Sequence, residues 1–93
     1  MKTLADFKRR IELGTSIETS YPSGLEIPTR KVSIKQSNSF ALSTTKINGD
    51  IVDSWMEYPK ASMIEFPTPN EATIFWMDRD EKRIPCLTYK FIN

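Results

Sequence analysis

The sequence contains no histidine, the side chain most used as a general base near neutral pH and as a metal ligand. It contains one cysteine, Cys86, so no internal disulfide can form, and a reducing, cytoplasmic setting is expected. One cysteine and no histidine also leave too few ligands for a zinc site. The three glycines, Gly14, Gly24 and Gly49, are isolated, and no glycine-rich phosphate loop is present. No apolar run approaches the ~20 residues of a membrane span. The basic N-terminal segment lacks the continuous apolar stretch of a signal peptide. Thirteen basic and twelve acidic residues leave a net charge of +1, too little to draw the chain onto nucleic acid or an anionic membrane by bulk field. These absences predict no cofactor, no metal and no membrane partner.

What remains is an ordinary globular composition, 39% hydrophobic and 27% charged over 93 residues. That is enough for one modest core and one domain, residues 1–93. Thr3 to Leu13 reads as an amphipathic helix. Thr3 is its N-cap, Asp6 completes a capping box, and Leu4, Phe7 and Ile11 share one face. Lys8, Arg9 and Arg10 suit the negative end of its dipole, and Gly14 supplies a left-handed stop.

From Thr15 the period changes to two. Thr15, Ile17, Thr19 and Tyr21 mark one face of a first strand. A loop runs from Pro22 to Pro28. A second strand spans Thr29 to Gln36 with Val32 and Ile34 inward, and after a turn at Ser37–Ser39 a third buries Phe40, Leu42 and Thr44. Asn48-Gly49 signals a type I′ hairpin leading into a strand from Ile51 to Tyr58. Aromatics locate the core of a small chain, so the stretch from Ser54 to Phe66, with Trp55, Tyr58 and Pro59, is expected at its centre. A short strand from Met63 to Phe66, an apolar one from Ala72 to Met77 and a closing one from Arg83 to Ile92 complete the chain. Pro85 argues for an edge or a bulge near the start of the last. The expected fold is α+β: an N-terminal amphipathic helix followed by a six- or seven-stranded, mostly antiparallel bent sheet or a small SH3-like or OB-like barrel. Arg83–Ile92 or Thr15–Tyr21, as an edge, offers a route to a homodimer.

Few residues suggest chemistry. Cys86, with no histidine to activate it, reads as a small buried apolar residue. Asp50, Asp53 and Glu57 group on one strand, and Asp78, Asp80 and Glu81 in one turn. The latter start like a calcium loop but lack its glycine and distal glutamate, and a solvated turn is the simpler reading. Lys8, Arg9, Arg10, Arg30, Lys31 and Lys35, together with Lys2 and set against four acids, make the first 35 residues +3 and leave the remainder −2, which can give one surface a positive potential. Trp55, Tyr58 and Trp76, with Phe75 and Tyr89, can stack on unpaired bases if exposed, although a small core uses most of its aromatics for stability.

The opening helix ending in Glu12-Leu13-Gly14-Thr15, the segment Trp55…Tyr58-Pro59-Lys60-Ala61-Ser62 and the closing Leu87-Thr88-Tyr89-Lys90-Phe91 together resemble small uncharacterised proteins carried by bacterial phages and mobile elements. The resemblance implies no catalytic residue. It implies an accessory protein that binds and inhibits a host defence or DNA-processing protein. The expected function is therefore a non-enzymatic module with a protein partner. Its candidate surface is Lys8, Arg9, Arg10, Arg30, Lys31, Lys35, Trp55, Tyr58 and Trp76. The alternative is a nucleic-acid-binding barrel using the same cations and aromatics, and a carboxylate-dependent enzyme is a third reading.

Overall fold

The computed structural model describes residues 1–92. One short helix, α1 (Leu4–Arg10), precedes seven strands: β1 (Ser16–Ser20), β2 (Glu26–Lys35), β3 (Ser39–Thr45), β4 (Ile51–Glu57), β5 (Ile64–Glu65), β6 (Glu71–Met77) and β7 (Arg83–Ile92). A single 3₁₀ turn at Ala61–Met63 leads into β5. The strands form one antiparallel sheet in the order β4-β3-β2-β1-β7-β6-β5. Its ends, β4 and β5, do not pair among the described residues, so the sheet is not closed. The architecture is α+β, dominated by strands.

The capping box forms as its residues require. The Thr3 hydroxyl accepts from the Asp6 amide, and the Asp6 carboxylate accepts from the Thr3 amide. The helix is shorter than its periodicity predicts. Ile11 is its C-cap in extended conformation, and Gly14, at φ 85°, turns the chain after the helix has ended. Seven residues cannot hold a helix in water alone, so α1 depends on what Phe7 touches. Phe7 is fully buried, its ring centroid 5.9 Å from Phe91, 6.2 Å from both Phe40 and Tyr58, and 6.3 Å from Tyr89. Ile11, Ile17, Val32, Leu42, Ile64, Ala72 and Leu87 complete this core. All of it lies on the helix-bearing side of the sheet, here called the core face.

The centre of the core differs from the sequence expectation. Ser54–Phe66 starts on β4 at one end of the sheet and finishes just past β5 at the other, and Trp55 is 50% exposed. Tyr58, Ile64 and Phe66 alone in that stretch bring rings or branched chains to the cluster, with Met56. β7 is not an edge, because it pairs with β1 on one side and β6 on the other. Pro85 is accommodated at a register shift between Ile74 and Phe75, a bulge where no ladder donor is needed. Pro28 sits similarly in β2, at the shift opposite Ile17 and Thr19. β1 is also internal, so neither strand expected to support a homodimer is available for one. Thr44 is exposed.

Three hairpins share one turn. The Gly24 N–H donates to the Tyr21 carbonyl (2.9 Å) while the Tyr21 N–H donates to Leu25 (2.8 Å). Gly49 with Lys46 and Lys46 with Asp50 repeat the pair at 2.9 and 2.7 Å, and Glu81 with Asp78 and Asp78 with Lys82 at 3.2 and 3.0 Å. Each is a three-residue loop whose last residue is left-handed: Gly24 at φ 92°, Gly49 at 89° and Glu81 at 58°. The Asn48-Gly49 turn is thus not type I′, since Asn48 keeps a negative φ. By strand direction all three turns lie at the sheet end away from α1. In the third, Asp78 Oδ1 accepts from the Asp80 and Lys82 amides at 2.9 and 2.8 Å, which holds the turn without a glycine.

A left-handed L-residue costs roughly 1–2 kcal/mol, partly offset by the entropy a glycine gains on unfolding. Glu81→Gly is therefore expected to stabilise the protein by about 0.5–1 kcal/mol in denaturant unfolding. Gly49→Ala is expected to cost about 1 kcal/mol, although nothing lies within 4 Å of the added methyl. A lower midpoint for Glu81→Gly would refute the turn assignment. Phe7→Ala should cost ~3–5 kcal/mol. Against the ~5–15 kcal/mol of a typical domain, the same titration should find it near the limit of folding.

Candidate functional site

Strand register divides the candidate residues between two faces. Phe40, Leu42 and Val32 point to the core face, so Ala41, Ser43 and Lys31, adjacent in the ladder, point to the other. A shift at Ser33 then brings Lys35 opposite Phe40, where its Nζ donates to the Lys8 carbonyl at 3.0 Å. Lys31 and Lys35 consequently occupy opposite faces. Arg30 lies on the core face and donates to Thr19 Oγ1 at 3.0 Å.

The helix cations are each engaged. Arg9 pairs with Asp6, and Arg10 donates to Asn70 at 3.1 Å and lies 5.0 Å from the Phe91 ring centre. Lys8 sits 5.3 Å over Tyr58. Lys8, Arg9, Arg10 and Lys35 are neighbours about α1, while Arg30 and Lys31 stand apart, so the six cations do not make one patch.

The aromatics divide too. Tyr58 is partly buried against Phe7 and Phe40, and burial raises its phenol pKa. Trp55 and Trp76 are 50% and 54% exposed, but Trp55 is on the open face of β4 and Trp76 is near the opposite sheet end, on β6. They form no common platform. Cys86 is exposed, at the bulge of β7. A residue displaced from the ladder turns out of the packed surface, which composition does not signal.

The open face, opposite the core face, carries Ala41 as its one fully buried residue among those described. Ala41 lies between Ile34 and Trp55 in a single cross-strand row. Asp53, next on that face, accepts from Ser33 Oγ at 2.8 Å. Asp50 accepts from Asn48 Nδ2 at 3.0 Å. The ion pairs found among the described residues are Asp6–Arg9 and Glu65–Arg83, so Asp50, Asp53 and Glu57 have no cationic partner there. A grouping the sequence did not suggest is Glu18, Lys90 and Glu71. Register sets Lys90 between the two carboxylates, and with Glu26 they line a shallow depression. Glu18 and Lys90 come from opposite ends of the chain, so no local motif announces it. No cluster of three or more His, Cys, Asp or Glu suited to a metal ion occurs among the described residues.

The strand that departs most from a sealed surface is β4. It is a sheet end, seven residues long, without proline, lysine or bulge, the usual devices that close an edge. Ile51 is 71% exposed, and Val52 and Trp55 are exposed as well. The other end is two residues of β5, with Arg83 bonded to Glu65 at 2.7 Å and lying 4.1 Å from the Phe75 ring centre. No helix among the described residues is long and apolar enough to cross a membrane. Comparison with family models, with curated proteins and with solved structures finds no match.

Two titrating groups report on the core side. The Lys2 amide, then the Thr3 hydroxyl and amide and the Arg9 charge, hold the Asp6 carboxyl below its ordinary value. Burial pushes the Tyr89 phenol well above its ordinary value, and its hydroxyl has no hydrogen-bond partner among the described residues. A raised folded pKa means that the stabilisation from keeping this phenol neutral is complete below the unfolded value of ~10. It is lost as pH rises through the higher folded value. Tyr89→Phe should flatten the alkaline decline in stability and raise stability at neutral pH by about 1 kcal/mol, the cost of an unpaired buried hydroxyl. A variant that is less stable at pH 7, by denaturant titration, would contradict this.

Proposed function

We propose that the chain is a small non-enzymatic binding module that acts through contact with a protein. The observation that carries this reading is the uncovered β4 edge, with Ile51 and Trp55 exposed beside it. Large apolar side chains next to unpaired backbone are what protein partners bury. A specific interface takes ~800 Å² from each partner, about an eighth of the 6280 Å² exposed by this chain, so one sheet end and part of the open face are large enough. The further statement, that it is a phage or mobile-element inhibitor of a host defence or DNA-processing protein, rests on the sequence resemblance alone. The nucleic-acid alternative has weaker support, because the six cations divide between faces and both tryptophans stand apart. An SH3-like or OB-like relationship rests on the sequence pattern alone, because the two ends of the sheet do not pair among the described residues.

The test is affinity capture from bacterial lysate with the protein tethered at the β6–β7 turn, away from β4. A stoichiometric protein partner is expected, displaced by free protein and weakened at least about tenfold by Trp55→Ala, as for a central aromatic in an interface. Capture of nucleic acid alone, with affinity falling steeply in salt, would replace this reading with its rival.

A further inference from the structure

The backbone of β4 determines which of its groups are free. Asn38 pairs with Tyr58 through the Tyr58 N–H (3.0 Å), and Lys46 pairs with Asp50 (2.7 Å). The ladder between them runs without a shift, Phe40 facing Met56, Leu42 facing Ser54 and Thr44 facing Val52. Hydrogen-bonded pairs alternate in an antiparallel ladder. Val52, Ser54 and Met56 therefore direct their N–H and C=O groups to β3. Ile51, Asp53, Trp55 and Glu57 direct theirs outward to the free edge.

The same four residues put their side chains on the open face, Trp55 beside Ala41 and Asp53 beside Ser33. Residues 47–59 hold three acids, Asp50, Asp53 and Glu57, and no base. These acids have no cationic partner among the described residues.

From this we infer that β4 is a strand-addition site for an extended, basic segment of a partner protein, with cationic residues opposite Asp53 and Glu57 and apolar residues opposite Ile51 and Trp55. The alternation is fixed by the ladder: residues two apart on an added strand meet Glu57, Trp55, Asp53 and Ile51 in turn. Backbone bonds at four positions provide binding, and the charged pairs provide selection.

A second copy of the chain is the obvious competitor for this edge, and its own acids oppose it. Outward residues must face outward residues across a two-fold axis. Centring the pair on residue 53 sets Asp53 against its copy, and centring it on 55 sets Asp53 against Glu57. Centring it on 54 relieves the direct clash but leaves Asp53 diagonal to both Asp53 and Glu57 of the copy. Like charges directly opposite destabilise a pair of strands. The charge that keeps copies apart is the charge a basic strand satisfies.

This inference rests on the binding-module reading, and the experiment separates the two. The probe is an eight-residue capped peptide with lysine and valine alternating at every second position and threonine between them, compared with its glutamate counterpart. Binding is followed by amide NMR at low salt. The lysine peptide is expected to bind at least about tenfold more tightly, with the largest shifts at the amides of Ile51, Asp53, Trp55 and Glu57, and to weaken as salt screens the pairs. Asp53→Lys with Glu57→Lys should invert the preference. Ile51→Pro should weaken the lysine peptide while leaving both acids in place, because the N–H it removes faces outward and not toward β3. Equal affinity for both peptides, shifts centred elsewhere, or concentration-dependent dimerisation through β4 would overturn the assignment. A lysate partner retained undiminished by the Asp53→Lys, Glu57→Lys protein would also overturn it while leaving the binding-module reading intact.

Discussion

The fold depends on the docking of Phe7. A seven-residue helix has no independent stability, and a seven-stranded open sheet has one face too many for a chain of this length to cover. The Phe7 ring settles both by entering a ring cluster made by β3, β7 and Tyr58. That contact marks which side of the sheet is the core. Ile17, Val32, Leu42, Ala72 and Phe91 turn toward the helix, and their sequence neighbours turn away.

One consequence is that the opposite face is left to whatever side chains can manage. On β3 and its neighbours Ala41 is small and is roofed between Ile34 and Trp55 in one row. Further along, Glu18, Lys90 and Glu71 make a charged row across three strands. The open face thus carries an apolar row on the β4 side, flanked there by Asp53 and Glu57, and a charged row across β1, β7 and β6. The apolar row ends in the exposed tryptophan of the open face, beside the free edge and not in the middle of the sheet.

Local signals were the most legible in the sequence. The capping box of Thr3 and Asp6, the turn positions of Gly24 and Gly49, and the inward residues Ile17, Phe40 and Leu42 could all be read from neighbours within a few residues. Properties set by distant strands could not. Pro85 signalled an edge or a bulge without saying which, and only the partners on both sides of Arg83–Ile92 show that it marks a bulge inside the sheet. Trp55 looked like core because large rings usually are, yet the order of strands puts β4 outermost. Cys86 looked buried for the same statistical reason and lies exposed on a bulge. The basic residues Lys31 and Lys35 appeared to belong together, and a single inserted residue, Ser33, sends them to opposite faces. The grouping of Asp50, Asp53 and Glu57 was visible in the sequence, but its meaning was not, because it depends on which side of β4 lacks a neighbour.

The two ends of the sheet handle the same physical liability in different ways. At β5 the edge is shortened to two residues, and beyond it Arg83 bridges Glu65 and the Phe75 ring, so little regular backbone is offered to another chain. At β4 the full length of the strand is regular, and protection comes from acids alone. Shortening or bending an edge excludes every incoming strand alike. Charge excludes only strands of the same sign, including a copy of the chain itself. An edge guarded by charge is therefore selective where an edge guarded by geometry is closed, and the difference between the two ends of this sheet is the difference between a terminus and an acceptor.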